Sequence, residues 1–409
     1  TDEGQEADLQ LKETAKKTLK SMPSIESLKF SVKYMTENIV RFTIRDAKNA
    51  RYEVPVQQVL DLMDKVEKDK TKRRYSVDVS TDSKDFKFSI TRKDTKTKVF
   101  DTSISGLVFA DQFLQLATNL ATKNVYGFGT NHSGTDNLYG VHPFYIVLET
   151  DGKAHGILFF NSNAMEYTLL PDPALSLKTL GGVLDFFVFL CDNPEHVIQL
   201  YTSVIGRQTM PPFWGLGYQL CRYGYTGTKN LREDTMYIDI DYMDRYEDFT
   251  YDKSAFAGLP ELFKDTKTKN QLHWTLILDP GIEGNNKQYQ TFSEGYKNDV
   301  FVKWPKSVDP KDRFNPPDAP TNKDTVYGKG QIKNLHDILP FDSLWIDMNE
   351  PSNFNARCPN NKYDFPPIRS VNIIGNQLSA STLCMVAIQG EKGEYKHYDV
   401  HSLYGLVDL

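Results

Sequence analysis

The chain of 409 residues is poor in cysteine, has no surplus of positive charge and contains no long apolar run. Its four cysteines (Cys191, Cys221, Cys358 and Cys384) form no Cys-x-x-Cys pair, so no metal-knuckle or thioredoxin-type motif is present. A net charge of −6 leaves no cationic excess to neutralise phosphates, which argues against a nucleic-acid partner. The Lys-rich stretches at 70–74 and 91–98 are interleaved with polar and acidic residues and read as hairpin tips or solvated edges. No segment reaches the ~18–20 apolar residues of a membrane span. The nearest, at 181–191, is short and holds Asp185, so any membrane attachment is expected only through segments outside this sequence. There is no visible signal peptide, and a start at Thr1 suggests a processed or partial chain. A Gly-x-Ser-x-Gly elbow is absent, which excludes the usual serine hydrolase. No cofactor and no metal are expected.

What is present is ordinary globular composition, 39% hydrophobic and 25% charged, in a chain too long for one core. The first half reads as β. Segments 28–35, 39–46, 74–80 and 85–92 alternate apolar and polar residues with period two. Residues 142–165 read as a hairpin turning at Asp151-Gly152. Residues 1–22 are polar and suggest a loose helix or a disordered lead. After Pro211-Pro212 the pattern changes to short strand-like segments at 213–220, 236–240, 273–278 and 343–346, with a candidate crossover helix between the second and third. Buried strands alternating with helices imply a parallel sheet. The expected architecture is a polar lead (1–24), a β-sandwich (25–205) and a partial (β/α)8 barrel of about four strands (206–409).

Three of the four late segments end on acid: Asp239/Asp241, Asp279 and Asp347. In a closed barrel, strand C-termini open on one face, where catalytic groups gather. Asp347, in WIDMNEPSNF, has two bland readings, a turn or helix-capping aspartate and a calcium loop. The calcium reading fails, because its sixth position lacks Gly and its twelfth is Cys358. The chemical reading is a nucleophilic carboxylate of a retaining glycosidase, with Trp345 and Phe354 available to stack on a sugar. Asp239 and Asp241 either point inward together at a strand end or form a solvated rim. A Mg²⁺-dependent phosphohydrolase start is disfavoured by Met243 and by the absence of a Gly-rich loop. Asp279-Pro280-Gly281 reads as a turn.

WIDMNEPSNF closely resembles the nucleophile signature of glycoside hydrolase family 31, the α-glucosidases. PPFWGLGYQLCRYGY, DIDYMDRYEDFTYD, LILDPGI, NDVFVKWP, STLCM and HYDVHSLYG resemble further family blocks in the right order, and FADQFLQL and GGVLDFFVFL resemble the family's N-terminal β-sandwich. The flavour is that of animal intestinal maltase-glucoamylase and sucrase-isomaltase. The resemblance implies Asp347 as nucleophile and Glu350 as its acidic neighbour. It implies Asp239 as the substrate-gripping aspartate, and Tyr223, Ile282, Trp345, Met348 and Phe354 as lining the glucose pocket. It also implies a Cys358–Cys384 disulfide, a maltose-like oligosaccharide substrate, and a place on the extracellular face of the plasma membrane or in the secretory pathway.

The sequence also departs from the family. No residue matches the general acid/base aspartate, which lies on a later strand. The crossover between the first two late strands is short, the Trp-rich region after Gly328 is missing, and Thr130 stands where the family has glutamate. Asn131-His132-Ser133 forms a sequon at that join. Two functions are therefore expected: a retaining exo-α-glucosidase, or an inactive family member that binds glycans or partners.

Overall fold

The structure is a computed structural model. It describes the chain except residues 14–23, 56–66, 81–84, 105–106, 129–142, 229–234, 285, 287, 309–328, 349–351, 353–357, 368–376, 381, 390–394 and 401–409. The first half forms two seven-stranded antiparallel sheets. One runs, in spatial order, through Gly4–Gln10, Ser27–Tyr34, Ile39–Asp46, Leu184–Cys191, Ala154–Phe159, Phe144–Leu148 and Val125–Gly127. The period-two alternation of the early segments is what builds it. On Ser27–Tyr34 every second residue is buried, and those side chains meet the facing sheet in one core. Phe42 stacks on Phe186 at 4.9 Å and meets Phe88 and Phe100 of the other sheet at 4.8 and 4.9 Å. The apolar run around Asp185 is a central strand, buried along its whole length. Its aspartate is satisfied by Arg41, whose Nε donates to Oδ1 at 2.8 Å. The expected hairpin is present, with Gly152 at φ 84°.

The N-terminal lead differs from expectation. Gly4–Gln10 is an edge strand, paired with Ser27–Tyr34 over seven residues. The pairing is made by backbone groups, and only Ala7 and Leu9 pack on the core. An edge strand so poor in apolar residues carries almost no pattern to read.

In the second half, Leu220–Arg222, Thr235–Ile238, His273–Leu278 and Ser343–Ile346 form a four-stranded sheet in that order, every pair parallel. The helix Leu259–Asn270 covers one face through Phe263, stacked on Trp274 at 4.2 Å. The first strand is shorter than its sequence suggested. Phe213–Leu216 is a 3-10 turn instead, entered from Pro212 and ended at Gly217. The C-terminal segment ties the two halves together: Asn163 Nδ2 donates to the Tyr398 carbonyl at 2.9 Å, and Tyr398 Oη donates to the Leu180 carbonyl. Cys358 and Cys384 are disulfide-bonded. Among the described residues, no helix is long and apolar enough to cross a membrane.

Candidate active site

Register decides what meets at the C-terminal end of the parallel sheet. Arg222 pairs with Ile238, Ile238 with Leu276, and Leu278 with Ile346. Tyr223, Asp239, Ile277 and Trp345 therefore share one level. Asp279 and Asp347 share the level above, two residues on and so on the same face. The sheet brings together Tyr223, Asp239, Trp345 and Asp347 from the sequence candidates and adds Asp279, whose Asp-Pro-Gly context reads as a turn. The signal was present, since Asp279 also ends a buried strand.

Each aspartate is held differently. The second strand stops at Ile238 because the Asp239 carboxylate accepts the Ile240 N–H at 2.7 Å and starts a 3-10 turn. Strand periodicity therefore does not carry to Asp241, which accepts the Gly224 N–H at 2.8 Å and pins the end of the first strand. The Asp279 backbone N–H donates to Asp248 Oδ1 at 3.0 Å, and Asp248 is 2% exposed. Asp347 is half-buried, and among the described residues its carboxylate enters no hydrogen bond or ion pair. Met348, the next residue, has φ 55°, a left-handed conformation that costs a non-glycine residue about 1 kcal/mol or more.

The local field is negative. Burial raises the Asp279 carboxyl to about 6, with the Asp347 and Asp239 charges adding to it. Burial also raises Asp239, helped by Asp241 and Asp347 and opposed by the Ile240 N–H. The exposed Cys221 thiol is raised by partial burial and by the Asp239 and Asp347 carboxylates, which places it near both. Carboxylates that have no ion-pair partner among the described residues, in a partly desolvated place, stabilise positive charge that develops nearby.

The other candidates divide. Tyr223 is exposed and Trp345 half-buried, with Trp345 packed edge-on against Tyr237 at 5.9 Å. Ile282 is a correction. It is 0% exposed, clustered with Tyr289 and Phe301, so its side chain has no surface to offer a sugar. The turn after Asp279 buries it rather than presenting it. Glu350, Phe354, Thr130 and the sequon at Asn131 lie outside the described residues.

Comparison with known proteins gives the family. Residues 208–408 match the glycosyl hydrolases family 31 TIM-barrel domain. Intestinal sucrase-isomaltase of Oryctolagus cuniculus is 36% identical over 471 aligned positions, covering 98% of this chain. The chain belongs to glycoside hydrolase family 31. Lysosomal alpha-glucosidase of Mus musculus is 34% identical over 93% of the chain. A crystal structure of an ER glucosidase II complex, its catalytic subunit with the binding domain of the regulatory subunit, superposes with a TM-score of 0.72 at 18% identity, covering the whole of this chain and 54% of that one. This family-31 chain spans 25% of the rabbit relative and 43% of the mouse one. The alignment with the rabbit protein is longer than the chain itself, so that relative carries internal segments with no counterpart here.

Proposed function

We propose that this family-31 chain carries the nucleophile and the glucose-gripping side of a retaining exo-α-glucosidase acting on malto-oligosaccharides. Its four parallel strands are the leading part of a (β/α)8 barrel behind a β-sandwich. The observation that carries the reading is Asp347, ending a parallel strand level with Asp279 and beside Asp239, with no hydrogen-bond partner among the described residues. An oxygen of that carboxylate attacks C1 of the terminal glucose. The bond from C1 to the leaving oxygen breaks, that oxygen takes a proton, and water later releases glucose from the ester. Asp239 grips sugar hydroxyls, and Tyr223, Trp345 and Met348 line the pocket. Glu350 and Phe354 are assigned neighbouring roles on the signature alone. The disulfide favours an oxidising compartment, in keeping with a place in the secretory pathway or at the cell surface.

The test is peptide mapping after treatment with 5-fluoro-α-D-glucosyl fluoride, whose fluoride leaves with little need of a proton. A glucosyl ester on Asp347 is expected. An ester on another residue, or none at millimolar reagent, overturns the assignment.

A further inference from the structure

One carboxyl oxygen at this sheet end has no partner. Asp279 Oδ1 is buried and accepts and donates nothing. The groups that face it are almost all acids. Asp347 stands level with it on the fourth strand, and Asp239 ends the second strand. Asp248 lies behind it, holding its backbone N–H. The buried Tyr242 donates to the Ile277 carbonyl at 3.1 Å, and Tyr289 donates to the Asp248 carbonyl at 2.7 Å, so neither phenol is committed to Asp279. Cys221 lies near Asp239 and Asp347, and Asp241 holds the Gly224 N–H. Among the described residues, none of the ion pairs involves Asp239, Asp248, Asp279 or Asp347. Carboxylates on neighbouring strands, ~5 Å apart and without a cation, do not all stay ionised; one of them takes up a proton.

We propose that Asp279 is that proton carrier, and that it turns its O–H onto one oxygen of Asp347, acting as a positioning residue for the nucleophile. The inference rests on the reading of Asp347 as nucleophile. Asp279 is suited to the part because its orphaned Oδ1 is buried and its backbone N–H is held by Asp248. Its elevated carboxyl, at about 6, agrees. With the proton in place, one Asp347 oxygen is held and the other faces the sugar. When the proton is lost, two like charges repel and the Asp347 carboxylate rotates away.

The experiment uses the 409-residue chain and two variants. With 5-fluoro-α-D-glucosyl fluoride, leaving-group protonation matters little, so the pH profile of labelling reports on Asp347 and its holder. Wild type labels about tenfold faster at pH 5 than at pH 8. Asp279→Asn keeps a donor that does not titrate, so its profile is flat and exceeds wild type at pH 8. Asp279→Ala labels slowly at both. A wild-type fall retained in Asp279→Asn, or wild-type speed in Asp279→Ala at pH 5, overturns the proposal. A second readout needs no chemistry. A ¹³C-aspartate resonance absent from Asp279→Asn titrates near pH 6, and its midpoint falls in Asp347→Asn. An unmoved midpoint also overturns the proposal. If the midpoint moves while the label lands elsewhere than Asp347, the nucleophile reading fails and the coupling of the two aspartates stands.

Discussion

The two halves of the molecule treat buried charge in opposite ways. Between the antiparallel strands, Arg92 is 0% exposed, yet its Nε donates to Glu149 Oε2 at 3.1 Å, and His155 Nδ1 lies 3.0 Å from Glu149 Oε1. Burial alone would raise the Glu149 carboxyl, but His155 and Arg92 together hold it below its usual value. In the parallel sheet Asp239, Asp248 and Asp279 have no such cation among the described residues, and all three are raised, burial being the largest cause. The first region uses its buried ions to fix a structure. The second keeps acids in an uncomfortable place, as active sites do when electrostatics serve a reaction rather than the fold.

That contrast predicts a double dissociation. Asp347→Asn should cost activity, by about 10³-fold or more against an aryl α-glucoside. It should not lower the thermal midpoint, because it removes one of several repelling charges. A drop of several degrees would show that Asp347 is structural. Glu149→Ala should do the reverse. It strands the Arg92 guanidinium in the core and costs about 3–5 kcal/mol in denaturant unfolding, while the chain that remains folded still labels at Asp347. A loss below about 1 kcal/mol would mean that water or a repositioned group reaches Arg92. Next in size is Cys384→Ser, which opens the Cys358–Cys384 link, 26 residues apart in sequence, and should cost about 3 kcal/mol by the chain-entropy estimate. Equal midpoints with and without reductant would remove that contribution.

What could be read in advance follows the same division. Segments with a regular period declared themselves: the alternating strands at Ser27–Tyr34 and Ile39–Asp46, and the continuous apolar run of Leu184–Cys191. Gly4–Gln10 did not, because an edge strand held by backbone pairing needs few apolar residues. That Asp239 and Asp347 end neighbouring parts of one sheet was legible from the pattern of acids after apolar strands. Asp279 shares that pattern of acids, but its Pro-Gly neighbours are the grammar of a turn and drew the reading there. Its membership depends on register with Asp347, a property of two strands 65 residues apart rather than of either alone. Ile282 was misread for the complementary reason. Sequence placed it near the mouth, but side-chain direction after a turn is set by packing against Tyr289 and Phe301.

The smallest predicted effect is also the sharpest test of the comparison, because the two regions should respond to pH with opposite sign. His155 is buried, and burial lowers its pKa, so the folded state takes up its proton later than the unfolded chain does. Its contribution is present above the unfolded value and is lost as pH falls through it, from about 6.5 downward. Asp279 is raised to about 6, so its contribution is fully present below the unfolded value and is lost as pH rises through 6. Moving from pH 8 to pH 5 should therefore loosen the strand Ala154–Phe159 and tighten His273–Leu278. Amide hydrogen exchange, corrected for intrinsic rates, should show protection of His273–Leu278 rising by roughly tenfold, equivalent to about 1.4 kcal/mol. Protection of Ala154–Phe159 should fall over the same interval. In Asp279→Asn the first change should shrink, Asp239 and Asp248 keeping what remains, and the second should persist. If both strands shift in one direction, or if the variant abolishes both shifts, the two halves share a single electrostatic response and the division drawn between them is wrong.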